Sequence, residues 1–310
     1  MEQIQNNRVI TDLYRENAQF PGIALDGSDV YLCWQRFVDR HDSLMASCRR
    51  GDEVVWEREI SDGGEVLHPV ILAHGGAIWY AWSEYARENW RILARCYRDG
   101  QWGEVLTVAS GEALFFPRLF TWQGRLHVIW TEQHKGSAAA VLCPLTEAGP
   151  GAAETVSAVG EAYRAGAAEG GDGNLYVAYD GFDGKQYKLF ARARTAAGWS
   201  KEIVVSQGED WASTPWIAAK PDGAVVGWYD YGYMAVYSVR SADLTVRDGA
   251  LTAVNPQCLK EGVDWYLDLH VASNASGLQA MAYTRSKYDV LVCTRRGSEP
   301  WSRPELMSYG

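Results

Sequence analysis

The feature that most constrains this chain is an internal repeat. The stretch FPGIALDGSDVYLCW at residues 20–34 returns as HPVILAHGGAIWYAW at 68–82, FPRLFTWQGRLHVIW at 116–130 and TPWIAAKPDGAVVGW at 214–228. Trp34, Trp82, Trp130, Tyr179, Trp228 and Tyr283 hold one place in six successive units, at separations of 48, 48, 49, 49 and 55 residues. Pro21, Pro69, Pro117 and Pro215 stand thirteen residues ahead of their aromatic; Gly166 and His270 take that place in the fourth and sixth units. A period near 50 residues is the mark of a repeat architecture, in which each unit is one supersecondary element buried by its neighbours.

Two turn signals divide each unit into four short segments. The first is Asp26-Gly27, Gly75-Gly76, Gln123-Gly124, Asp172-Gly173, Asp222-Gly223 and Ser276-Gly277; the second includes Gly51-Asp52, Asp99-Gly100, Ala197-Gly198 and Gly297-Ser298. These pairs suit tight hairpins. The segments between them are rich in β-branched and aromatic residues, as in AVVGWY and NLYVAY, and none keeps helical periodicity over three turns. Four antiparallel strands repeated six times predict an all-β fold, a six-bladed β-propeller forming one domain over 1–310. The expected repeats are 20–67, 68–115, 116–163, 164–213, 214–265 and 266–310, with 1–19 as a closing or extra outer strand. The proline is expected to open each innermost strand, where a missing N–H costs little. The aromatic is expected to end the second strand and fill the wedge between blades. Because both termini compete for the last blade edge, the surplus strand could pair with a second copy and give a homodimer.

A formal net charge of −10 with no basic run disfavours nucleic acid and an anionic membrane as partners. The opening MEQIQNNRVITDLYREN shows no charged-then-apolar leader pattern, and no apolar run of 18 residues follows. The expectation is a cytoplasmic protein. Cys48, Cys96, Cys143 and Cys293 recur at nearly the repeat spacing, which suits small buried apolar positions. No CxxC, HExxH, phosphate-cradling glycine loop or G-x-S-x-G elbow occurs, so no cofactor and no metal is expected.

Chemistry is sought where the repeat breaks. Just after the aromatic of each unit come Arg36, Glu84, Glu132, Asp180, Asp230 and Arg285. Closing six blades would bring Arg36 and Arg285 together, as forks for a carboxylate or sulfate, opposite four acids crowded enough to raise a pKa. Glu84, Glu132, Asp180 and Asp230 are therefore the candidate acid, base or nucleophile, with His134 of WTEQHKG as a further base. Arg36, Arg285, His68, Tyr85, Trp211, Tyr231 and Trp265 are the candidate binding residues, the rings being suited to stacking on pyranose faces. A second set, Glu16, Glu65, Glu112, Glu161, Glu209 and Glu261, precedes each innermost strand and is expected to accept backbone N–H bonds in the connections.

The pattern P-x-I-A-x-D-G-x-x-x-Y-x-x-W, followed by DGQWGEVLTVASGE or AGWSKEIVVSQGED, resembles the sialidase-like six-bladed propellers of the neuraminidase superfamily. The S-x-D-x-G-x-T-W box and the Arg-Ile-Pro signature of that family are absent from the sequence. The resemblance implies a propeller with an arginine cluster holding a substrate carboxylate, a part that Arg36 and Arg285 could imitate. Together these readings predict a carbohydrate-active enzyme, foremost a glycoside hydrolase on an oligosaccharide. The alternatives are a lyase on a uronate-containing sugar, with His134, His68 or Tyr85 removing the proton, and a non-catalytic lectin.

Overall fold

The structure is a computed structural model and describes residues 17–61, 63–232, 237–263, 268–286 and 289–307. Every long regular element is a strand, and no helix occurs among the described residues. Six antiparallel sheets follow one another along the chain, and the fold is a six-bladed β-propeller. The first strands of the blades are Asn17–Asp26, Glu65–His74, Ala113–Trp122, Ala162–Glu169, Trp211–Lys220 and Leu269–Ser273. The second strands are Asp29–Val38, Ala77–Ala86, Arg125–His134, Leu175–Phe182, Gly223–Tyr231 and Leu278–Thr284. In the second to fourth blades the outer strand comes in two pieces that pair with the same third strand. Residues 1–16, where an extra outer strand was expected, lie outside the described residues.

The chain divides into two compact units. The first comprises the residues up to Thr121 with Arg125–Gly136 and Val141–Glu154; the second comprises Trp122–Gly124, Ser137–Ala140 and Thr155 onward. Each has its own apolar clusters. Tyr31, Leu44, Ile78, Tyr80 and Trp82 pack together in the first, and Tyr176, Trp228 and Leu244 in the second. The repeat aromatics Trp82, Trp130, Tyr179, Trp228 and Tyr283 are fully buried. Burying a large apolar side chain contributes about 1.5–3 kcal/mol, so this one repeated position anchors every blade in which it occurs. The four repeat cysteines lie on third strands and are buried as expected. Burial pushes the Cys143 thiol up to about 11 and that of Cys293 to about 12, which leaves them unreactive near neutrality.

The prolines depart from expectation. They sit inside the first strand, not at its start, and the residue before each is left-handed: Phe20 (φ 51°), His68 (52°), Phe116 (54°) and Thr214 (55°), with Arg164 (40°) at the same place in the fourth blade. The ladder with the second strand slips at this point, between Gln19 and Gly22, Leu67 and Val70, Tyr163 and Gly166, and Ser213 and Trp216. These are β-bulges, where proline is tolerated because the extra residue makes no ladder bond. A left-handed backbone costs a residue with a Cβ about 1–2 kcal/mol, and five blades carry that cost at one position.

Candidate functional site

Three of the four acids nominated by sequence, Glu84, Asp180 and Asp230, are buried, and each is tied to an arginine. Glu84 is 0% exposed and ion-paired to Arg91 across the hairpin, while the Trp82 indole donates to its other oxygen at 3.2 Å. Asp230 repeats the arrangement three blades on. Arg240 Nε lies 2.7 Å from Oδ2, and the Trp228 indole donates to Oδ1 at 2.5 Å. Asp180, also buried, is held by Arg164 through Nε at 3.1 Å and Nη2 at 2.8 Å. In all three pairs the carboxylate is inside and the guanidinium keeps about a third of its surface in solvent: 35% for Arg91, 33% for Arg164 and 34% for Arg240. Burial pushes the Asp230 carboxyl up to about 6, against the opposing pull of the Trp228 N–H and of Arg240. Gly64 lies so close to Glu84 that a Cβ there would stand 2.4 Å from its Cγ, so the chain clamps that carboxylate from behind.

The bulge residues and the strand ends carry rings. In the first unit Phe20 meets His68 edge-on at 5.0 Å between centroids, and His68 meets Phe116 at 4.2 Å. Phe115, Trp90 and Tyr85 continue the row at spacings of 4.6 Å and 5.2 Å. In the second unit Tyr163, Tyr187, Trp211 and Tyr231 follow one another at 6.1, 5.5 and 5.4 Å. Trp211 is 39% exposed, and the Tyr231 hydroxyl lies within electrostatic reach of Arg164, Tyr187 and Asp180. Burial is the main cause that raises its pKa. Arg164 also reaches the Thr214 hydroxyl at 3.5 Å. A guanidinium backed by a buried acid has the fork chemistry to meet an anion.

Arg36 bonds Glu59 of its own blade at 3.1 Å, and Arg285 is ion-paired to Asp289 within its own hairpin, each with a carboxylate that itself meets solvent. Glu132 is half-buried and makes no hydrogen bond or ion pair among the described residues. His134 pairs with Glu112 at 3.2 Å, both exposed. Glu112 also accepts the Lys135 backbone N–H at 3.3 Å, the role expected of its set. Trp265 lies outside the described residues, as does Glu16. Tyr85, Trp211 and Tyr231 stand on strands, because turns as short as Asp39-Arg40 and Arg87-Glu88 join the second and third strands of the first two blades. Sequence reasoning missed Arg91, Arg164 and Arg240. It also missed the bulge residues Phe20, Phe116 and Thr214, which the proline of each repeat marks from one position away.

No family model and no curated protein matches the chain. Among solved structures, the polysaccharide lyase Uly1 superposes with a TM-score of 0.62 at 10% identity, over 93% of this chain and 81% of its own. A puromycin-hydrolysing peptidase of Mycobacterium tuberculosis gives 0.58 at 14%, over 90% of this chain and 45% of its own. The subtype N10 neuraminidase-like protein of A/little yellow-shouldered bat/Guatemala gives 0.53 at 8%, over 96% and 95%. At such identities the likeness is one of fold, and the neuraminidase-like protein is one neighbour among several.

Proposed function

We propose that the protein is a carbohydrate-active enzyme working on an acidic saccharide, with Arg164 of the second unit holding the substrate carboxylate. The observation that carries this reading is the direction of the acid–arginine pairs. Asp180 is buried and Arg164 keeps a third of its surface in solvent, so the pair presents its cation outward. Tyr231, within electrostatic reach of Arg164, and the rings of Trp211 and Tyr187 that continue from it supply flat faces for pyranose rings and phenolic hydroxyls at their rims. Neighbours of this fold that include a polysaccharide lyase and a neuraminidase-like protein suit the reading.

Elimination beside a uronate carboxylate fits better than hydrolysis. In elimination the proton α to the carboxylate is removed, its electron pair forms the new C=C bond, and the glycosidic oxygen leaves with a proton. A guanidinium on the carboxylate stabilises the charge that develops there. Tyr231, whose proton burial holds on, is the donor to the leaving oxygen, and Tyr187 is the candidate acceptor. Two-carboxylate hydrolysis needs a pair about 5–9.5 Å apart, whereas Glu84, Asp180 and Asp230 are each tied to an arginine. A glycosidase reading rests on Glu132, the nominated acid without such a tie.

The test is to follow both unsaturated-uronate absorbance and reducing ends on a uronate-containing polysaccharide. Both should rise together, and Arg164→Gln should lower kcat/KM at least about 100-fold with the folded signal unchanged. Reducing ends without the chromophore select hydrolysis. Saccharide binding without either product selects the lectin, and no binding at all removes the proposal.

A further inference from the structure

Left-handed residues at the hairpin tips, such as Asp39, Arg40, Arg87 and Glu88, are what tight turns require. The five in the first strands are different, because they stand inside a sheet and recur at one place in five blades. Glycine relieves this backbone conformation, yet Phe20, His68, Phe116, Arg164 and Thr214 are there instead. Thr214 is β-branched, the kind of residue least suited to it. A strained backbone held at the same point in blade after blade marks positions where the side chain outweighs the strain. Phe20, His68, Phe116 and Thr214 lie three residues after their strand starts and Arg164 two after its own, and the ladder slips beside Phe20, His68, Arg164 and Thr214 alike. Two of them, Arg164 and Thr214, already belong to the anion receptor of the second unit. Phe20 is 43% exposed, so its ring is not there to fill a core.

We infer that the bulge residues are the specificity-determining positions, and that Phe20, His68 and Phe116 form an uncharged stacking subsite on the first unit for a sugar ring. This rests on the reading of the protein as saccharide-binding. The subsite consists of rings in contact, Phe20 on His68 at 5.0 Å and His68 on Phe116 at 4.2 Å. Stacking on such a surface uses the apolar C–H face of a pyranose and is indifferent to a carboxylate on its rim. The two sets of bulge residues therefore read different properties: Arg164 reads charge, and the three rings read shape.

The experiment uses a matched pair of probes, oligogalacturonate and its methyl ester, titrated calorimetrically against the full chain and its variants. Phe20→Gly and His68→Gly should each weaken both probes about tenfold and leave their ratio unchanged. Arg164→Gln should weaken the acid about tenfold or more and spare the ester. Thermal unfolding adds a readout that a structural role would not give, since Phe20→Gly should melt no lower than the parent protein. If Phe20→Gly and His68→Gly bind both probes within twofold of the parent while Arg164→Gln loses the acid, the subsite is overturned and the functional reading stands. If neither probe binds the parent protein, both are overturned.

Discussion

The two units put one backbone device to opposite uses. The bulges of the first unit present two phenyl rings and an imidazole in a row; those of the second present a guanidinium and a hydroxyl that touch. Around them the scaffold hardly changes, since Trp82–Glu84–Arg91 in the first unit and Trp228–Asp230–Arg240 in the second are the same arrangement. The repeat therefore decides where a side chain stands, and the departures from it decide what that side chain does. Among the described residues both units enclose acids, but the second encloses cations as well. The second encloses Lys220 (1% exposed), Asp243 and Arg295 (both 0%), with Lys220 Nζ 2.9 Å from Asp243 and Arg295 stacked on Trp301 at 4.6 Å. In the first, Asp29 and Arg50 form a two-bond pair at 2.7 and 2.8 Å that stands at the surface.

That contrast gives the largest expected effect. Asp243→Asn leaves two enclosed cations facing a neutral amide, and removing one member of a buried ionic cluster costs about 3–5 kcal/mol. Denaturant unfolding should show a loss of that size, while Asp29→Asn should barely move the midpoint because solvent screens the pair. Equal losses at the two positions would erase the distinction between the units.

A middle-sized effect concerns pH. The Asp230 carboxyl is pushed up to about 6 by burial, where about 4 is usual for the unfolded chain. The folded state thus binds this proton more tightly. The resulting stabilisation is fully present below about pH 4 and is lost as pH rises through about 6. Its size is on the order of 3 kcal/mol. Asp230→Asn has no such proton, so its stability relative to the parent protein should rise between pH 4 and pH 7. Parallel stability curves for the two would show that burial does not control this carboxyl.

How much of this was legible in the sequence follows from what each signal encodes. Hairpin chemistry and the recurring aromatic gave the blades, because both act locally and repeat. The third-strand cysteines were readable for the same reason. The direction of the acids was not. Glu84 and Asp230 sit two residues after a buried tryptophan, and an alternating strand turns both toward the same side; that side is enclosed, and only the partner arginine on the next strand reaches water. Arg91 and Arg240 are paired with those acids by the register of the hairpin, which no single segment displays. The bulge was hidden differently. Proline suits an edge strand, the first residue of a strand or a bulge, and the residue ahead of it, which changes from phenylalanine to histidine to threonine across repeats, does not tell these apart.

The smallest expected effect separates strain from contact at one of those bulges. Thr214 holds φ at 55° and accepts a long bond of 3.5 Å from Arg164. Thr214→Ala removes the hydroxyl and keeps the Cβ that the left-handed backbone disfavours; Thr214→Gly removes both. In an ordinary strand glycine is less stable than alanine by about 0.5–1 kcal/mol, because the unfolded chain gains freedom. Here the order should reverse, with Thr214→Gly more stable than Thr214→Ala by about 0.5–1 kcal/mol, since relief of the left-handed conformation exceeds that entropy. The same pair of substitutions at Val225, a buried position in the regular part of the adjacent strand, should show the usual order with alanine ahead. Were glycine the weaker residue at both positions, the bulge would carry no strain for its side chain to outweigh, and the first unit's rings would need another explanation for their place.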